Sequence, residues 1–266
     1  MAAVSGNLSR VQSGARMAEE PPARSKRQQA ATTAEEKVAL ALRALQAAQP
    51  FKDWPLDVLQ ALAAHGRVDT YPRDTYILNR GQVTNALYIV ISGIVEISAA
   101  SIDGGKLIIR YGSSGWVFGL LNLLDGLPMN HYFRAHEPTT TVALPKAALL
   151  GALHRSPQLW ESVVAEVAQR NRFILQQFAE LAFDPLRTRL ARAILILAQS
   201  YGTPSEAGVE VELRLAKHKL GELLGVSRQS VTKEMKRLGA EGIVAMHYGR
   251  ISILDLPALS TLARPG

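Results

Sequence analysis

The sequence predicts an α+β protein in three successive parts: an N-terminal antiparallel β-roll or jelly roll, one long helix, and a C-terminal block in which two short helices are followed by a β-hairpin. Three observations carry this. Short alternating apolar segments separated by glycine turns run from Arg67 to Pro145. One apolar seam of heptad spacing runs from Val163 to Leu181. Long polar side chains crowd one face of a helix that follows a Gly-Val-Ser turn at Gly225.

The 266 residues are 47% hydrophobic, enough to bury a core in one large or two modest domains. There is no cysteine, which excludes disulfides, thiolate nucleophiles and cysteine-held iron–sulfur clusters. The apolar run Ala193 to Ala198 falls far short of the about 18 residues a membrane span needs. The N-terminus lacks the apolar core of a signal peptide, so a cytoplasmic protein with no membrane partner is expected. Net charge is +7, unevenly spread: residues 1–34 carry +3, residues 35–184 carry −1 and residues 185–266 carry +5. A basic C-terminal block suits a polyanionic partner.

Residues 1–36, rich in Ala, Ser, Arg and Gln without apolar periodicity, read as a disordered basic tail. The sensing domain spans 37–156. It opens with helical segments at 37–50 and at Pro55 to His65, the second with proline in its first turn. From Arg67 the period becomes two. Tyr76 to Leu78, Ala86 to Ile91, Ile94 to Ile97, Leu107 to Tyr111 and Thr139 to Pro145 read as short strands, with turns at Gly81, Gly93 and Asp103-Gly104-Gly105.

Pro157 starts the long helix, 157–184. Val163, Val167, Ile174, Phe178 and Leu181 form its seam, with Asn171 where an apolar residue belongs. A polar residue inside such a seam sets register, so the helix is read as a dimerisation element. Asp184-Pro185 breaks it and is the candidate hinge.

The last block, 185–266, contains "LAKHKLGELLGVSRQSVTKEMKRLGAEGIVAMHYGRISILD". Gly225 turns the chain between two helices, and Ser227 caps the second. Val231, Met235 and Leu238 share that helix's inner face. Ser227, Arg228, Gln229, Ser230, Thr232, Lys233 and Lys236 make up its polar surface. This is the pattern of a winged helix-turn-helix, whose second helix enters the major groove by its N-terminal turns. Arg can pair with guanine and Gln with adenine. The hairpin about Tyr248-Gly249-Arg250 is the wing, with Arg250 placed to meet phosphate.

"LGELLGVSRQSVTKEMKRLGAEGIV" closely resembles the DNA-binding domain of the Crp/Fnr family of bacterial transcription regulators. "YPRDTYILNRGQVTNALYIVISGIVEIS" resembles the early strands of that family's cyclic-nucleotide-binding domain. The resemblance covers roughly residues 40 to 255. It implies a homodimer on a near-palindromic double-stranded operator, with Arg228, Gln229 and Lys233 reading bases. The family often has Glu where Gln229 stands and Arg where Lys233 stands, so base preference is expected to differ. RNA polymerase is a further partner of such a regulator.

In nucleotide-binding members, "GSSGWVFGLLNLLDGLPMNHYFRA" would be the phosphate cassette. The resemblance puts Leu120 at its Glu position, Asn130-His131 at its Arg-Ser positions, and Ile174-Leu175 at its purine contacts. A buried cyclic phosphate needs a charged partner, so cyclic AMP is not the expected effector. Two readings of the pocket stand level. Leu120, Leu121, Leu124, Asn130, His131, Tyr132, Phe133, Ile174 and Phe178 either line a site for an apolar effector or fill a ligand-free core that leaves DNA binding constitutive. Haem is the weaker option, resting on His131 and His136 alone. His65, His154, His218 and His247 show no metal spacing, no cofactor is required, and no nucleophile elbow or P-loop appears, so the chain is read as a non-enzyme. A nucleotide sensor acting through protein contacts is the reading outside this class.

Overall fold

The computed structural model describes residues 23–205 and 208–264. Helix α1 (Ala23–Ala47) is followed by α2 (Leu56–Ala63). Five strands then run β1 (Arg67–Tyr71), β2 (Tyr76–Leu78), β3 (Ala86–Ser92), β4 (Val95–Ala100) and β5 (Lys106–Gly112). A short β6 (Val117–Phe118), helix α3 (Leu120–Asp125), β7 (Tyr132–Ala135) and β8 (Thr139–Pro145) complete the roll. Helix α4 (Lys146–Arg155) and a 3-10 turn (Pro157–Leu159) lead into α5 (Trp160–Phe183). The C-terminal block is α6 (Leu186–Tyr201), β9 (Gly202–Ser205), β10 (Gly208–Val211), α7 (Lys217–Leu224), α8 (Arg228–Ala240), β11 (Val244–His247), β12 (Arg250–Ile253) and α9 (Leu256–Leu262).

The segment expected as a tail differs. Residues 23–36 belong to α1, because Ala, Gln, Arg, Glu and Lys are strong helix formers even without an apolar stripe. Residues 1–22 of that segment lie outside the described residues. From Ala41 onward the helix does carry a stripe: Ala41, Ala44 and Leu45 are buried, as is Ala48 just past its end.

The roll consists of two antiparallel four-stranded sheets, ordered β1-β8-β3-β6 and β2-β7-β4-β5. Strand β3 shows how both its faces become buried. Leu87 and Ile89 join a core with Phe51, Leu62, Leu144 and Val163. Tyr88 and Val90 point the other way, into a core with Leu78, Val95, Phe118, Met129 and Phe133. Alternation with period two places one set under the helices and the other between the sheets.

A third core joins the roll to the C-terminal block. Ile94, Ile108 and Tyr111 from the roll pack with Leu190, Ile194, Leu220, Leu224, Val231 and Leu238. The break at Asp184 is extended, as a residue before proline must be. It is also strapped: Arg192 donates to Asp184 at 2.7 Å and pairs with Glu180 at 3.0 Å, tying the end of α5 to α6. The block contains a feature the sequence reading lacked. Hairpin β9–β10 adds to the wing, making a sheet ordered β11-β12-β10-β9.

Candidate nucleic-acid interface

The two helices α7 and α8 meet at Gly225, which lies in the left-handed region at φ 64°. A side chain there would cost about 1–2 kcal/mol. Their close approach also depends on Gly221, where an added Cβ would stand 2.7 Å from the Val226 carbonyl oxygen. Ser227 then caps α8: its Oγ accepts from the Ser230 amide at 3.1 Å, and the two hydroxyls lie 3.0 Å apart. Such a cap stabilises a helix by about 1 kcal/mol.

Val231, Met235 and Leu238 are buried against α6 and α7. That fixes the rotation of α8. Arg228, Gln229, Lys233 and Lys236 are consequently exposed, and with half-buried Thr232 they line one shallow concavity. Thr232 Oγ1 donates back to the Arg228 carbonyl at 2.8 Å. No carboxylate pairs with the four cationic or amide heads among the described residues; the exposed Arg237 instead pairs with Glu234 at 2.8 Å. The wing turns at Tyr248 (φ 48°) and Gly249 (φ 81°). Tyr248 is fully exposed at its tip, while Arg250 sits one step back and pairs with Glu210 at 2.8 Å. Arg250 is therefore partly neutralised by its own sheet.

Beside α7 lies a charge cluster that sequence reasoning missed. Glu96 of β4 is fully buried. It contacts Lys106, accepts from Arg134 at 3.1 Å, and lies 3.9 Å from both His136 and Lys219. Lys219 and Glu222 come from α7 and pair at 2.9 Å. Burial pushes the Glu96 carboxyl up, but His136, Lys106 and Arg134 outweigh it and hold the group well below the ordinary carboxylate range. The signal available in sequence was one acidic residue inside an apolar strand.

The residues expected to line an effector pocket do not converge. Leu120 is buried, and Leu124 partly buried, in the core under α1 and α2. Leu121 and Asn130 are exposed. Tyr132 faces outward against Tyr76, with ring centres 5.6 Å apart. Half-buried His131 is held below its ordinary pKa by burial and by Arg80. Phe133 points inward, and the roll's interior is filled by stacked rings: Tyr88 on Phe118 at 5.1 Å, Phe118 on Phe133 at 5.1 Å, and Trp116 on Phe118 at 5.4 Å. Met129, not Asn130, closes the bottom of this stack. His136 packs edge-on to Tyr111 at 5.0 Å. Among the described residues no group of three His, Asp or Glu could hold a metal ion, and no helix is long and apolar enough to cross a membrane.

The expected seam of α5 divides in two. Val163 is buried in the core of its own domain and Val167 packs against it, because the helix starts on the roll. Asn171, Ile174, Phe178 and Leu181 are exposed, Phe178 to 71%, and Val164 and Leu175 are exposed with them.

Residues 68–156 match the cyclic nucleotide-binding domain, and residues 188–262 match the Crp-like helix-turn-helix domain. The chain is 25% identical over 196 residues to a global nitrogen regulator of Synechococcus elongatus, covering 73% of this chain and 88% of the relative. It is 26% identical over 194 residues to a CRP-like cAMP-activated global transcriptional regulator of Mycobacterium tuberculosis, covering 73% and 87%. A crystal structure of a CRP/FNR-family transcriptional regulator from Thermus thermophilus superposes with a TM-score of 0.64 at 25% identity, over 74% of this chain and 98% of that one. With both domains matched in order on the fold described above, the chain belongs to the Crp/Fnr family of DNA-binding transcription regulators.

Proposed function

We propose that this protein is a homodimeric, sequence-specific regulator that sets two copies of α8 into the major groove of a near-palindromic operator, and that its β-roll is not gated by cyclic AMP in the usual way. The observation that carries the reading is the outward face of α8. Arg228, Gln229 and Lys233 stand exposed on the first turns of a capped helix whose inner face is locked by buried side chains. That is the geometry of base readout. The exposed apolar stripe from Val164 to Leu181 supports pairing through α5, since a twofold pair would cover it and would match a palindromic site.

The packing inside the roll supports the second half of the proposal. The relative from Mycobacterium tuberculosis is cAMP-activated by name. Here aromatic rings and Met129 occupy the interior, and that core includes no charged side chain among the described residues. Arg134 of β7 is engaged by Asp74 and by the buried Glu96. A cyclic phosphate would find these rings in its way and no charged group among them; the arginines beside the stack, Arg110 and Arg170, lie against Trp116.

The test is an anisotropy titration of a duplex selected from a random library. Wild type binds it with an affinity that falls steeply with salt. Arg228→Ala weakens binding about 10- to 100-fold at that duplex, the loss of one bidentate base contact. Equal binding by Arg228→Ala removes α8 as the reading helix.

A further inference from the structure

A cavity of about 130 Å³ lies where the roll, the long helix and the C-terminal block meet. It is walled by Ile109 to Tyr111 of β5, by Phe173 to Leu181 of α5, by α6, and by Leu223 and Leu224 of α7. No residue of β6, α3 or β7 lines it, so it is separate from the roll's filled interior. Its wall is largely apolar, through Phe173, Leu181, Ala193, Ile196, Leu197 and Leu223.

Three arginines line it against one glutamate. Arg192 is consumed by Glu180 and Asp184. The other two form no ion pair among the described residues, although Glu166 is near enough to act on Arg110 electrostatically. Arg110 has no ion pair and lies over the rings of Phe173 and Trp116, 5.4 and 6.0 Å from their centres. Arg189 donates one NH to the Leu224 carbonyl at 3.1 Å, while its Nε is buried with no hydrogen-bond partner. Arg110 is exposed where it lines the cavity; desolvation and the like charge of Arg170 lower its pKa, while Tyr201 and Glu166 act the other way, so its charge is open to an anion that enters. An unsatisfied buried donor is costly to leave so.

We infer that this junction is an effector site for a small carboxylate with an apolar body, the carboxylate meeting Arg110 and Arg189 and the body filling the apolar wall. The size agrees: an apolar cavity of about 150 Å³ takes a benzene ring. Such an occupant would touch β5, α5, α6 and α7 at once. It would favour one placement of α7 and α8 relative to the roll, which is what a ligand must do to alter DNA affinity. The inference rests on the reading of the chain as a DNA-binding regulator and places its control outside the roll.

The test uses the purified full chain with benzoate and 3-methylbutanoate as probes and benzamide as the uncharged control. Thermal shift and calorimetry are read together with operator binding. The expected result is saturable stabilisation by at least one carboxylate, at least tenfold weaker binding of benzamide, and a change of several-fold in operator affinity when the carboxylate is bound. Arg110→Met lowers carboxylate affinity at least tenfold, and Ala193→Phe, which fills the cavity, abolishes binding. The comparison of benzoate with benzamide needs no variant, so it stands even where a variant fails to fold. Absence of carboxylate binding, or equal binding by folded Arg110→Met and Ala193→Phe, overturns the site. Operator binding without any probe is measured in the same samples: its loss in wild type overturns the regulator reading, whereas failure of the probes alone overturns only this site.

Discussion

Gln229 occupies the second position of α8, exposed and unpaired among the described residues. Its amide offers a donor and an acceptor together, which suits adenine; a carboxylate in its place only accepts, which suits cytosine. Gln229→Glu is therefore expected to move the preferred base pair opposite this residue from A·T toward G·C, by about 1–3 kcal/mol. Site selection with both proteins reads this, and an unchanged preference would take residue 229 off the base edges. At this scale the helix-turn-helix was legible in sequence, because cap, turn glycine and inner face all lie within about four turns of chain. Asn130 was misplaced as a pocket residue for a physical reason. Strand β7 begins at Tyr132, and its pleat sends Phe133 and Ala135 inward, while Asn130 precedes the strand and is exposed. Glu96 was equally hidden, since the cations around it, Lys106, Arg134 and Lys219, come from three separate elements.

In the proposed dimer, helix α5 is the element on which assembly depends. Its periodicity was readable, but periodicity alone does not say which core claims each turn. The first turns are claimed by the roll through Val163 and Val167, and the remainder is left uncovered. Phe178→Asp introduces a charge on the uncovered stripe and touches no core residue of the domain. It is expected to shift a dimer toward monomer by at least 100-fold in dissociation constant, because a charge on a buried apolar seam loses its hydration. Sedimentation of both proteins measures this while circular dichroism checks that the fold is kept; an unchanged dimer would assign assembly to another face. The strand elements were recovered where β-branched and apolar residues run together between turn signals, as in Thr139–Pro145. The pair β9–β10 escaped notice because each strand has four residues and Gly202–Ser205 carries no apolar side chain except a proline, although Val209 and Val211 do alternate with Glu210.

At the scale of the molecule, the roll and the C-terminal block are joined by a shared apolar core and by the charges around Glu96. Glu96 has a depressed pKa in the folded protein, so its contribution is present above the ordinary glutamate value of 4.5 and is lost as pH falls. Glu96→Gln removes the buried carboxylate shared by Lys106, Arg134 and Lys219, leaving them only Glu222 and Asp74. It is expected to cost roughly 3–5 kcal/mol at neutral pH, the effect of breaking a buried ion pair from one side. The gap between wild type and variant should narrow as pH drops below 4.5. Denaturant melts across that range measure it, and a gap independent of pH would mean that the carboxylate's charge does not hold the two parts together.

The proposed function, a closed roll interior beside an open recognition face, predicts DNA binding that ignores cyclic AMP. The most direct measurement is titration of the selected duplex with wild-type protein, with and without saturating cyclic AMP, alongside calorimetry of cyclic AMP on the protein alone. The expected result is the same salt-dependent operator affinity in both titrations and no heat of nucleotide binding. Tight cyclic AMP binding, or operator binding that appears only when the nucleotide is added, would contradict it.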